Sequence, residues 1–181
     1  MTQQQVAGGP LDRAWADEFE ARWADAWNSQ DADGVLALMT EDVVYDDAAW
    51  PRQMRGHDDV REFLEHTWRA LPDLRFETLK TYLHPERPEA AYYWRGQGTN
   101  SGPLDPPGLK PTGKVVRFDG ADFREYRDGK VAGLRIAFDM ADIMRQVGVL
   151  PPADSREERM LAKVSNLRNR LPGGGDRGGS R

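Results

Sequence analysis

An α+β fold, with helices first and a long antiparallel sheet after them, is what three features of the sequence predict. Large residues recur every fourth position from Leu11 to Trp27 and return at helical spacing between Val60 and Leu71. Beyond Pro72 the apolar period shortens from 3.6 to 2. The runs of period 2 are divided by short turn signals, which favours a meander over alternating βα units.

Each element can be justified in order. Leu11, Trp15, Phe19, Trp23 and Trp27 form a strict i+4 series, so the first helix buries one face. Asn28 to Asp33 breaks it. Asp33 is the expected N-cap of a short second helix through Val35, Leu36, Leu38 and Met39, which Thr40-Glu41-Asp42 ends. Val43-Val44-Tyr45 then starts a strand, and Asp46 to Gly56 is read as strand exit and loop. The third helix carries Val60, Phe63, Leu64, Trp68 and Leu71 on one stripe and stops at Pro72. Four β-rich runs follow, Leu74 to Leu83, Ala90 to Thr99, Lys114 to Tyr126 and Lys130 to Asp139. A helical turn through Ile143 and Met144 reaches Gly148, and Pro151-Pro152 marks a boundary. Asp154 or Ser155 can cap a last, basic helix over 151–171 with Met160, Leu161, Val164 and Leu167 on one side. Residues 1–10 read as a loose leader, and the Gly/Arg-rich 172–181 as a disordered tail, because neither can bury apolar surface. The domain proper spans 11–150.

Composition removes several function classes. The 181 residues include no cysteine, which excludes disulfides, thiolate nucleophiles and cysteine-held metals. His57 and His66 are nine apart on one helix, about 180° round its axis, and His84 is distant, so no histidine metal site is expected. With 25 Lys+Arg against 30 Asp+Glu the formal charge is −5, which argues against a nucleic-acid partner. Only the end is basic: residues 156–181 hold seven Lys/Arg against three acids, read as a solvated helix and tail. No apolar run approaches the ~20 residues of a membrane span, and the first ten residues lack the pattern of a signal peptide, so a soluble cytoplasmic protein is expected.

The turn Arg127-Asp128-Gly129 sets which side chains of the last two strands share a face. A two-residue turn would place Asp122 opposite Arg135. A type I turn with Gly129 as a G1 bulge shifts the pairing by one and puts Asp122 with Phe118, Leu134, Ile136 and Phe138. The second choice segregates apolar from polar residues, with Arg117, Asp119, Glu125, Arg135 and Asp139 on the other face, and is preferred. Asp122 is then the one carboxylate on an apolar surface: either a neutral hydrogen-bond donor whose pKa burial has raised, or a paired or hydrated rim residue. By alternation Tyr92 and Trp94 share a face, and Tyr93 and Arg95 the other. His57 reads as an exposed residue of a helix N-terminus, and His66, in mid-helix, as exposed too.

The stretches Ala26-Trp27-Asn28-Ser29-Gln30-Asp31-Ala32-Asp33-Gly34, Thr40-Glu41-Asp42-Val43-Val44-Tyr45 and Arg55-Gly56, with the later Asp128-Gly129-Lys130-Val131 and Arg145-Gln146-Val147-Gly148, resemble SnoaL-like polyketide cyclases and ketosteroid isomerases. The likeness covers residues 11–150 and implies the NTF2-like cone, a curved antiparallel sheet wrapped by N-terminal helices around an apolar pocket. It implies little about activity, since this fold hosts isomerases, cyclases, hydrolases, dehydratases and binding modules.

Carried over residue by residue, the isomerase pattern places a general-base aspartate at Asp47, a hydrogen-bond donor at Trp23 where the family has a tyrosine, and a second, protonated aspartate at Asp122. The His-Trp-Asp run common in the last strand of the cyclases reads Leu134-Arg135-Ile136 here. The implied reaction is proton abstraction by Asp47 next to a carbonyl, with Asp122 and Trp23 donating to the enolate oxygen and no cofactor required. Tyr45, Tyr92, Trp94, Phe118, Leu134, Ile136 and Phe138 would line the pocket for a hydrophobic substrate such as a polyketide or steroid-like ketone. Two other readings stand beside it. One is a non-catalytic ligand-binding module or a homodimer through the polar outer sheet face. The other is an epoxide hydrolase-like enzyme using Asp47, Asp122 and Arg124 or Arg135; there Arg135 faces away, and two residues along a strand, about 6.6 Å, is long for an Arg124 clamp on Asp122.

Overall fold

The computed structural model describes residues 9–105 and 108–170. Most of the expected leader and the expected tail at 172–181 lie outside the described residues. The chain runs α1 (Arg13–Ser29), α2 (Ala32–Ala37), β1 (Met39–Asp47), β2 (Met54–Arg55), α3 (Gly56–Ala70), β3 (Arg75–Leu83), β4 (Glu89–Thr99), β5 (Val115–Arg127), β6 (Lys130–Phe138), α4 (Met140–Val147) and α5 (Arg156–Arg170). One sheet takes the order β2-β1-β6-β5-β4-β3. The last four strands form the expected antiparallel meander, and β1 joins its end in parallel with β6.

Three irregularities in pairing, between β1 and β6, β3 and β4, and β5 and β6, bend this sheet. Helices α1 and α3 close its concave side. The i+4 stripe of α1 does what its spacing demands: Phe19, Trp23 and Trp27 are buried, Phe19 stacks on Trp23, Trp27 packs tilted against Trp23, and Phe19 is also edge-on to Tyr126. Trp23→Ala would empty a large, 5% exposed site, and we expect it to cost about 3–5 kcal/mol in urea unfolding. A loss below about 1 kcal/mol would show that the stripe is not core.

Local chemistry corrects several boundaries. Asp12 caps α1 by accepting from the Trp15 N–H, and Gln30 ends it in the left-handed region at φ 59°. The cap of α2 is Asp31, which accepts from the Gly34 N–H, and not Asp33, which pairs with Arg61 on the surface. That helix stops at Ala37, and Met39 already belongs to β1, where it is fully buried opposite Val131. Ser155, not Asp154, caps α5. The apolar side of α5 is not packed on the domain: Met160, Leu161, Val164 and Leu167 are exposed. Among the described residues no helix is long and apolar enough to cross a membrane.

The β5–β6 hairpin reaches the expected register by a different route. Asp128 and Gly129 both have positive φ, 54° and 73°, and Arg127 pairs with Lys130, which is a two-residue turn of the I′ kind and not a G1 bulge. The pairing slips at Ala132 instead, so that Glu125 faces Gly133 and Asp122 faces Ile136. The turn follows the twist of the strands, and the extra residue is absorbed inside β6. Asp122 therefore points inward.

Candidate active site

The inward residues of β1 alternate Val43, Tyr45, Asp47, all buried. At the strand end the Asp47 carbonyl accepts from the Trp50 N–H at 3.1 Å, and the carboxylate Oδ1 accepts from the Ala49 N–H at 2.7 Å. This turn holds the carboxyl inside, where it is 6% exposed. Burial pushes the Asp47 pKa up to about 7; the Ala49 hydrogen bond opposes that, and the negative charges of Asp122 and Asp46 add to it.

Asp122 belongs to a buried network. Its Oδ1 accepts from the Trp94 indole at 2.7 Å, and its Oδ2 from Arg124 Nη2 at 2.6 Å and Nε at 3.1 Å. Arg124 Nη1 donates to Glu20 Oε2 at 2.6 Å, and Thr78 donates to the other Glu20 oxygen. The guanidinium lies 4.2 Å from the ring centres of both Trp23 and Tyr92. Burial opposes its charge, but Glu20 and Asp122 carry the Arg124 pKa well above its ordinary value. Gly120 makes room for this arrangement: it pairs with Trp94, and a Cβ there would collide with the indole that reaches Asp122.

Of the two alternatives for Asp122 the geometry matches the paired one: its oxygens accept from Trp94 and from the Arg124 guanidinium. It is not the lone carboxylate of an apolar surface, because Glu20 shares Arg124 with it. The spacing along β5 does not prevent the clamp either: the Arg124 side chain is long enough to fold back over two residues.

Asp47, Asp122, Arg124 and Glu20 all line one cavity of about 160 Å³, with Trp23, Tyr45, Trp94, Phe118, Ile136 and Phe138 in its wall. Space of this order takes a ring-sized apolar ligand. Tyr92 and Leu134, expected in the wall, do not line it. Arg124, stacked between Trp23 and Tyr92, forms the floor, so Tyr92, hydrogen-bonded to Tyr126 at 2.9 Å, and Leu134, paired with Arg124, belong to the core behind it.

Several residues of the wall were not anticipated. Glu20 stands three and seven positions before Trp23 and Trp27, so a carboxylate at the edge of the α1 stripe was a readable signal. Trp50 comes from a loop that no periodicity describes. His66 faces the cavity and is not an exposed helix residue: it lies edge-on to Trp50, and its Nε2 accepts from the Asp105 N–H at 3.2 Å. His57 is held away from the cavity wall by Thr40, and Arg135 is exposed, as the register requires. No cluster of potential metal ligands occurs among the described residues.

The sequence that builds this fold and cavity matches a family model, SnoaL-like polyketide cyclase, over residues 18–147. The chain belongs to the SnoaL-like polyketide cyclase family. The fold relatives agree. AclR from Streptomyces galilaeus, a candidate hydroxylase, superposes with a TM-score of 0.68 at 21% identity, covering 87% of this chain and 96% of its own. A SnoaL-like protein from Jannaschia sp. CCS1 gives 0.67 at 20%, covering 78% and 99%. A protein of ketosteroid isomerase-like fold from Catenulispora acidiphila, crystallised with trimethylamine, gives 0.62 at 17%, covering 76% and 96%. No curated protein matches the chain in sequence. SnoaL-like membership supports a small-molecule cyclase or isomerase in general terms, and the chemistry has to be argued from the cavity.

Proposed function

We propose that this SnoaL-like protein is an acid/base enzyme that abstracts a proton next to the carbonyl of a hydrophobic small molecule, with Asp47 as the base. The observation that carries this reading is a buried carboxyl with a pKa of about 7 at the edge of an apolar cavity. A base poised near neutral pH combines adequate ionisation with adequate proton affinity. Asp122 serves it indirectly: its charge helps to keep the Asp47 pKa up, and Trp94 and Arg124 fix its place. Trp23 acts as the platform under Arg124. The test is exchange of α-protons for deuterium in a panel of aryl and polycyclic ketones, followed by NMR. Exchange that Asp47→Asn abolishes supports the proposal; no exchange across the panel, or exchange that survives the substitution, overturns it.

The carboxylate–guanidinium–carboxylate chain of Glu20, Arg124 and Asp122 favours a second reading, epoxide hydrolysis around a bound water. It ranks lower because all four carboxylate oxygens already accept hydrogen bonds within the protein. Diol formation from an apolar epoxide would decide for it.

The outer face of β3–β6 supports a homodimer contact. It exposes Tyr82, Tyr93 and Phe123 around the Arg95–Asp119 ion pair, so two copies related by a two-fold axis can set opposite charges against each other. Phe123→Glu is expected to yield a monomer by light scattering where the parent protein is a dimer. A monomeric parent, or a variant that stays dimeric, would exclude this face.

A further inference from the structure

The wall of the cavity contains three hydrogen-bond donors that the protein does not use. Among the described residues the Tyr45 hydroxyl and the indole N–H groups of Trp27 and Trp50 are buried without a partner. All three line the cavity. Their rings share a neighbour, since each packs edge-on against Phe63, with centroid distances of 5.3 Å for Tyr45, 5.6 Å for Trp50 and 6.4 Å for Trp27. Buried donors are normally paired, and these three differ from the equally unpartnered indole N–H of Trp68 in lining the cavity, where an acceptor from outside can reach them. Indole N–H groups only donate. Tyr45 lies two residues before Asp47 on the same inward face of β1, and Trp50 closes the turn that holds the Asp47 carboxyl. Tyr45 and Trp50 are therefore close neighbours of the base along the chain, whereas both oxygens of Asp122 already accept from donors of the protein.

We propose that Tyr45, assisted by Trp27 and Trp50, forms the subsite that binds the carbonyl oxygen of the ligand, and that Tyr45 is thereby a catalytic residue donating to that oxygen. The proposal rests on the reading of the cavity as a site for hydrophobic carbonyl compounds, and it transfers the donor role from Asp122 on β5 to Tyr45 on β1, two strands away in the same sheet. It leaves no proton to be moved by Tyr45: the phenol stays protonated, as burial first and the nearby Asp47 and Asp122 second push its pKa well above the ordinary value. A neutral O–H aimed at a developing enolate oxygen stabilises charge without transferring a proton.

The test compares two single-ring probes of one shape, acetophenone and α-methylstyrene, which differ in carrying an oxygen or a methylene, by calorimetric titration of the 181-residue protein. The ketone is expected to bind the parent protein about tenfold more tightly than the hydrocarbon, as one well-placed hydrogen bond supplies. Tyr45→Phe is expected to remove that difference by weakening the ketone alone, and Trp50→Phe to reduce it. Tyr45→Phe should unfold at the same temperature as the parent or higher, because the lost hydroxyl has no partner in the protein. Equal affinity of the two probes in the parent, or ketone binding unchanged by Tyr45→Phe, would overturn the subsite while leaving Asp47 as base open to the exchange experiment. Binding of neither probe would overturn both readings together. A fall in unfolding temperature of several degrees in Tyr45→Phe would assign the hydroxyl a structural role instead.

Discussion

Asp47→Asn is expected to reduce proton exchange to the uncatalysed rate while making the protein more stable at pH 8. An amide of the same shape can still accept from the Ala49 N–H, so the turn at 47–50 survives, but it cannot take a proton. The pH dependence follows from the direction of the shift. Asp47 titrates at about 7 in the folded state against an ordinary value of 3.8, so between these limits the folded protein holds a proton that the unfolded chain has released. Stability therefore falls as pH rises from about 4 to about 7 and levels off above, by at most about 4 kcal/mol for a shift of that size. The variant lacks this decline. Parent activity should rise with pH through about 7 as the base ionises, and urea unfolding at pH 5 and pH 8 measures the stability half of the prediction directly.

Arg124→Leu is expected to be the most destabilising single change in the cavity floor. The guanidinium is 1% exposed and is the common partner of Glu20 and Asp122, whose side chains are 11% and 5% exposed. Removing it leaves two buried carboxylates facing one another without a cation, which costs about 3–5 kcal/mol even after local relaxation. The loss of the stack between Trp23 and Tyr92 adds a packing defect. For a chain of this length the unfolding temperature should drop by on the order of 10 °C. Neutralising the partners as well, in the triple variant Glu20→Gln, Asp122→Asn, Arg124→Leu, should recover most of the loss, because the cost lies in the unpaired charges more than in the absent bridge. A single variant as stable as the parent would show that the network contributes nothing to folding.

How much of this was legible in the sequence depended on periodicity. The α1 stripe, α3 and the four meander strands obey simple periods, and their order was enough for the fold. The inward position of Asp122 was legible as well, because only one register separates apolar from polar residues on β5 and β6. The turn that produces it was not, since a slip at Gly129 and a slip at Ala132 leave Asp122 opposite the same residue. The partnership of Asp122 with Arg124 was missed because backbone spacing was used where side-chain reach decides. Glu20 is brought to Arg124 across 104 positions of chain, and no local pattern announces such a contact. Trp50 comes from a loop whose Pro and turn residues carry no period, so the donor side of the cavity became visible only in three dimensions.

The central claim is that the Asp47 carboxyl is buried in an apolar cavity and ionises near neutral pH. Its most direct test is an NMR titration of the side-chain carboxyl carbons with ¹³C-labelled aspartate, in which the signal absent from Asp47→Asn identifies the residue. A midpoint of about 7 for that signal is the predicted result. A midpoint near 4, the value of an aspartate in water, would contradict the account and leave the cavity without its base.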